Sequence, residues 1–138
     1  MHIQNKIIGS VLLCLACFQA FSQSDNLPAD QLTTAFHAGR RQALRDMIPA
    51  NSVVAIFSYP AAVFSKDVDY VYHPNPDLYY FSGYKEPNAL LLIFKDMQSD
   101  STGTYNELFF VQRSDSIREQ WTGRRLGVEG VKSSLGFK

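Results

Sequence analysis

Cysteine is nearly absent from this chain. The two present, Cys14 and Cys17, both fall inside an apolar run near the start, so no disulfide framework organises the fold. Their CxxC spacing is read as coincidence, because a redox or zinc meaning requires a folded context. Net charge is absent too: 13 Lys and Arg balance 13 Asp and Glu. Phosphate recognition needs a basic surplus, so neutrality argues against nucleic acid and acidic membrane surfaces as partners. There is no P-loop, GxGxxG, GxSxG or HExxH. The Gly-flanked basic and aromatic motif of an RNA-binding sheet is missing as well. No apolar run reaches the roughly 18 residues that a membrane-spanning helix requires, so no membrane span is expected.

What is present begins with a leader pattern. His2 and Lys6 give a polar, weakly basic start, Ile7 to Phe18 is apolar, and Ala20-Phe21-Ser22 offers small residues where a signal peptidase reads. Residues 1–22 therefore read as a secretory signal peptide cleaved after Ser22, which places the mature protein outside the cytoplasm, secreted or periplasmic. In a lipoprotein variant Cys17 would be acylated, but Cys14 stands where a leucine is usual. Residues 23–30 read as a polar linker. The remaining 31–138 are expected to form one domain.

Within that domain Leu32, Phe36, Ala43, Leu44 and Met47 recur at helical spacing, with Asp30 as the expected N-cap and Pro49 as the stop. Arg40, Arg41 and Arg45 lie in the later half of this helix, where positive charge suits the dipole. They are read as a solvated face rather than an anion or partner patch. Ser52–Ser58 and Ala89–Phe94 are short, almost unbroken apolar runs, expected to be strands buried on both faces. Between them, His73-Pro74-Asn75-Pro76-Asp77 reads as a rigid turn leading into a half-buried strand over Leu78–Phe81. Residues 96–106 read as an exposed loop, 107–112 as a further strand, and Asp115 or Ser116 as the cap of a helical turn. A glycine-bracketed loop from Trp121 to Gly127 follows, then a short helix over Val128–Leu135 stopped at Gly136. One helix, several strands and short closing helices predict an α/β domain, a mixed β-sheet flanked by helices. Phe137-Lys138 then follows a helix with no evident burial for the phenylalanine. Such a layout normally feeds a further strand, so the expectation is of a sheet incomplete at its C-terminal end and of a chain cut short.

Few residues suggest chemistry. Asp67 and Asp69, two apart on an extended segment, would share one face and suit metal ligation or acid–base work. No further ligands accompany them at the required spacing, so they are read as turn and strand-edge carboxylates. His37 is read as a surface or boundary residue and His73 as solvent-facing. Trp121 stays open between a core anchor and an exposed wall for a ligand, since its indole combines a large apolar face with one donor.

Taken in order, the motifs make a pattern. Arg40-Arg41-Gln42-Ala43-Leu44 precedes the first strand. Asp69-Tyr70-Val71-Tyr72 leads to Asp77-Leu78-Tyr79-Tyr80-Phe81-Ser82-Gly83-Tyr84 and Glu86-Pro87, and Glu119-Gln120-Trp121-Thr122-Gly123-Arg124-Arg125-Leu126-Gly127 closes it. This ordered set resembles the N-terminal domain of aminopeptidase P, the Xaa-Pro aminopeptidases of the creatinase/prolidase-like group. His73 departs from the pattern, because an arginine usually follows the Tyr-x-Tyr.

The resemblance implies a domain that precedes a larger catalytic one. That larger domain holds two metal ions, usually manganese, and cleaves the bond before a penultimate proline in Xaa-Pro peptides. No position here matches its ligands, so the resemblance assigns this chain neither a catalytic nor a metal-binding residue. It does imply that Trp121 looks toward the substrate cleft, and that the domain helps to build a homo-oligomer. Two readings follow. One is a non-catalytic piece of a secreted metallopeptidase; the other is a stand-alone binding or oligomerisation module. The DNA just downstream of Lys138 discriminates between them.

Overall fold

The first helix owes its start to a threonine. The Thr33 hydroxyl accepts from the Phe36 amide, and α1 runs Thr34–Met47, so the cap is Thr33 and the helix starts later than expected. The structure, a computed structural model, describes residues 32–101 and 103–138. The signal peptide, the linker and the proposed cap Asp30 lie outside those residues. Among the described residues no helix is long and apolar enough to cross a membrane.

The face that α1 buries is polar. His37, Arg41 and Arg45, spaced by four, all turn inward, while Met47 stays exposed. The apolar spacing located the helix correctly, but the arginines are not a solvated face. Only Arg40 is exposed, with its guanidinium over the Phe36 ring. Nor is His37 a surface residue. It is 3% exposed, and its Nδ1 donates to the Tyr80 carbonyl at 2.8 Å.

The sheet is built from β1 (Val53–Phe57), β4 (Leu90–Asp100) and β5 (Gly103–Phe110), in the order β1-β4-β5. Both pairings are antiparallel, with Ile56 opposite Leu91, Leu91 opposite Phe109 and Ile93 opposite Glu107. The expected loop over residues 96–106 is mostly the arms of the β4–β5 hairpin. Strand pairing supplies partners for backbone groups that the polar composition alone suggested were solvated. A separate small hairpin pairs β2 (Val63–Ser65) with β3 (Val68–Asp69).

Residues 78–81, expected as a strand, belong instead to the helix α2, Pro76–Ser82. Pro76 enters the first turn, where its missing N–H would be unsatisfied anyway. The Asn75 side chain caps the Asp77 amide at 2.9 Å. Gly83 ends the helix in the left-handed conformation, φ +76°, which glycine adopts without penalty. The two prolines that suggested a rigid entry to a strand are a helix start.

Two short helices finish the chain, α3 (Ser116–Thr122) and α4 (Gly127–Leu135). The core joins Ile56, Leu91 and Ile93 of the sheet to Leu78, Tyr84, Val131 and Phe137. Phe137 is therefore well buried: its ring packs 4.7 Å from that of Phe109 and lies under the Arg41 guanidinium. The expected fold class holds, an α/β domain with helices against a sheet, but among the described residues that sheet is antiparallel rather than mixed.

One expectation about the strands does not hold. They are not buried on both faces. The register places Val53, Ala55 and Phe57 beside Phe94, Leu92 and Leu90, with Leu108 and Phe110 beyond them. This second face is apolar throughout, yet none of these side chains is fully buried among the described residues. The unbroken apolar runs report composition on both faces, whereas full burial occurs on one.

Candidate functional site

Trp121 stands in the last turn of α3, where sequence had suggested a loop. Its side chain is 89% exposed, and Ile117, one turn earlier on the same face, is 74% exposed. No residue of α3 is buried. An isolated helix of this length is unstable in water, so its ends must hold it. At the N-terminus the Asp115 carboxylate accepts from the Ile117 and Arg118 amides. Glu119 reaches back to accept from the Asp115 amide at 3.0 Å and the Ser114 hydroxyl at 2.7 Å, a reciprocal cap. The Ser114 hydroxyl bond is the main cause holding Glu119 below the ordinary carboxylate range, with smaller help from the Asp115 and Arg125 amides and the Arg124 charge.

The far end is tied to the body of the domain by Glu86. Its Oε1 accepts from the Leu126 amide at 2.8 Å, and its Oε2 accepts from the Tyr84 hydroxyl at 3.1 Å. Its backbone carbonyl accepts from Tyr72. Tyr84 is wholly buried, with its ring edge-on to Phe109 at 5.2 Å. Burial, then the adjacent Glu86 charge, pushes the Tyr84 phenol far above its ordinary range. Next to Leu126, Gly127 is left-handed (φ +62°), and a Cβ there would meet the Ser114 amide nitrogen at 2.9 Å. Residues 114 and 127 thus close a loop that carries Trp121 and Arg124 exposed, with Arg125 half-buried.

A second polar cluster lies under α1. Arg41 donates to both Glu107 oxygens, at 2.7 and 3.2 Å, and to the Phe81 carbonyl at 2.8 Å. Arg45 donates to Glu107 at 3.2 Å and to Gln42 at 2.6 Å. A broad cleft of about 940 Å³ opens beside this cluster, along β5, with Phe109, Val131 and Phe137 among its walls. Trp121 is not one of them.

The remaining candidates are scattered. Asp67 lies in the turn between β2 and β3 and Asp69 on β3, both exposed. They do not share a strand face, and among the described residues no group of three or more His, Cys, Asp and Glu is placed to hold a metal ion. The donor set does not fit a two-metal centre. His73 is exposed. In the sequence Glu86 stood out only as part of a motif, and Glu107 not at all. The available signal for Glu107 was a carboxylate opening the apolar run Leu108-Phe109-Phe110, since a charge facing a core is retained only when paired.

With this geometry in view, comparisons with known proteins are consistent. Residues 37–138 match the family model "Aminopeptidase P, N-terminal domain". The chain is 40% identical over 97 residues to the Xaa-Pro aminopeptidase of Escherichia coli, covering 70% of this chain and 21% of that protein. It is 33% identical over 98 residues to Xaa-Pro aminopeptidase 3 of Dictyostelium discoideum, covering 71% of this chain and 18% of that protein. It therefore spans only about a fifth of the length of these relatives. Among solved structures, E. coli aminopeptidase P with the inhibitor Pro-Leu superposes with a TM-score of 0.67 at 34% identity, over 78% of this chain and 24% of that one. Proline aminopeptidase P II from Yersinia pestis gives 0.65 at 34%, with the same coverage.

Proposed function

Because this chain belongs to the aminopeptidase P N-terminal domain family, we propose that it serves as the non-catalytic N-terminal domain of a secreted Xaa-Pro metallo-aminopeptidase. Such an enzyme removes the N-terminal residue that precedes proline. The observation that carries the reading is the exposed Trp121 on an α3 with no buried residue, held out on a tied loop. An indole kept in water on a braced support suits a wall completed by another part of an enzyme. In this reading Trp121 faces the substrate cleft, and the two metal ions, manganese in the family, are held elsewhere in the enzyme. No catalytic step is assigned to the residues described here, because their carboxylates and histidines do not converge. Secretion rests on the leader pattern of residues 1–22, and assembly into a homo-oligomer rests on the family resemblance alone.

Replacing the N-terminal domain of the E. coli relative by residues 32–138 tests the reading. The hybrid is expected to release the first residue of an Xaa-Pro peptide, and Trp121→Ala in it should lower turnover while leaving its unfolding temperature unchanged. The 138-residue chain alone, supplied with manganese, should release nothing above a metal-only control. Activity of the chain alone, or a Trp121→Ala hybrid as active as its parent, removes this reading. N-terminal sequencing of exported protein should begin at Gln23; a retained Met1 removes the secretory part.

A further inference from the structure

The loop from Ser114 to Gly127 depends on the domain body in an unusual way. Its internal bonds stay within the loop: Asp115 to Ile117 and Arg118, Glu119 back to Ser114 and Asp115 and forward to the Arg125 amide. They shape α3 but do not place it, since α3 buries no side chain of its own. Among the described residues a hydrogen bond from the Leu126 amide to Glu86, 40 positions earlier, links this loop to a distant part of the chain, beside the Leu126 side chain packed against the core. Glu86 is itself steadied from the core side. Its other carboxylate oxygen takes the hydroxyl proton of Tyr84, a side chain with no exposure, and Tyr72 holds its backbone carbonyl. Each oxygen of one half-buried carboxylate therefore serves a different body, the core on one side and the Trp121 loop on the other. A charged acceptor makes both bonds stronger than neutral ones would be.

We infer that Glu86 is the positioning residue of the Trp121 loop. Its carboxylate, oriented by Tyr84, fixes the Leu126 amide and through it the direction in which Trp121, Arg124 and Arg125 are presented. Glu86 touches no substrate in this scheme; it acts through the loop. Its bearing on turnover rests on the proposed cleft role of Trp121, whereas the tether itself does not.

The test uses the full chain and its single tryptophan. In Glu86→Ala, Trp121 emission anisotropy should fall, and tryptic cleavage after Arg124 and Arg125, located by mass spectrometry, should quicken about tenfold or more, the shift in loop opening expected from losing one charge-assisted bond. Glu86→Gln keeps an acceptor oxygen for Leu126 and should restore most of both signals. Tyr84→Phe removes the donor that orients the carboxylate but leaves the Leu126 bond possible, and should quicken cleavage less than Glu86→Ala does. In the unmodified chain the Leu126 amide should exchange slowly with deuterium, a measurement that stands even if Glu86→Ala does not fold. An unprotected Leu126 amide, or a folded Glu86→Ala with parental anisotropy and cleavage, overturns the inference. If the loop loosens in Glu86→Ala while the Trp121→Ala hybrid keeps full turnover, the tether stands and the cleft role falls.

Discussion

Arg41 and Glu107 lie 66 positions apart in the chain and 2.7 Å apart in the fold. The arginine is 3% exposed, and it joins α1 to β5, to the end of α2 through the Phe81 carbonyl and to the Phe137 ring. Glu107 faces the core opposite Ile93, so its charge persists there because Arg41 and Arg45 surround it. Removing Arg41 leaves the partly buried Glu107 with Arg45 as a weaker partner, and takes the donor from the Phe81 carbonyl. Arg41→Ala is expected to destabilise by about 2–4 kcal/mol, the loss of charge-assisted bonds from a buried side chain, a large part of a total of roughly 5–15 kcal/mol. Arg40→Ala, on the exposed side of the same helix, should stay within about 0.5 kcal/mol of the parent. Urea unfolding of both variants checks this, and equal midpoints would show that the pair holds nothing.

Tyr84 gives the fold an alkaline limit. Burial and the Glu86 charge raise its pKa in the folded state, so above the ordinary tyrosine value of about 10 the unfolded chain loses this proton first. The folded state then binds more protons, and stability falls as pH rises past that value. Below it the contribution is complete. Stability measured from pH 9 upward should decline more steeply for the parent than for Tyr84→Phe; parallel profiles would contradict the assignment.

The caps of α2 should show in stability. Asn75→Ala loses the bond to the Asp77 amide and the one from its own side-chain amide to the Phe57 carbonyl, and should cost about 0.5–2 kcal/mol. Gly83→Ala should cost more. Its backbone is left-handed, and the new Cβ would lie 3.0 Å from His37 Nε2, so strain and crowding add. Thermal unfolding followed by circular dichroism ranks the two, and a neutral Gly83→Ala would refute the placement.

The open apolar face of the sheet should be detectable in solution. Phe57 and Phe110 are both more than half exposed on it, and contiguous apolar patches of this kind bind dyes and promote association. The chain is expected to bind an anilinonaphthalene dye and to self-associate with rising concentration. Phe57→Lys with Phe110→Lys should reduce both without lowering the unfolding midpoint. A parent chain that stays monomeric and dye-free at high concentration would contradict this.

Trp121 should report an aqueous setting. Its emission is expected to be red-shifted and readily quenched by acrylamide. Trp121→Ala should alter stability by less than about 0.5 kcal/mol, as exposed positions usually do. Blue-shifted, protected emission would place the indole in a core and remove its candidacy as a cleft wall.

Several features were legible in residue order alone. Helical spacing located α1, apolar runs located β1 and the first half of β4, and Asp115 and Gly136 marked helix ends where the structure has them. These signals are local, because a cap, a stop or a periodicity is set by neighbours within one turn. The ordered motifs also identified the family, and they singled out Trp121. What residue order did not determine was which partner each polar side chain would meet. Arg41 and Arg45 read as solvated because charge runs usually are; Glu107 arrives only when β5 pairs with β4. Phe137 seemed unhoused because its pocket is made by Phe109 and Arg41 from distant elements. Leu78–Phe81 is as compatible with a strand as with a helix by composition, and the Asn75 cap with the Gly83 turn decided for the helix. Glu86 was one letter of a motif until folding brought Leu126 to one oxygen and Tyr84 to the other. Burial makes an unpaired charge costly, so only the tertiary structure, by setting who is buried beside whom, gave these residues their roles.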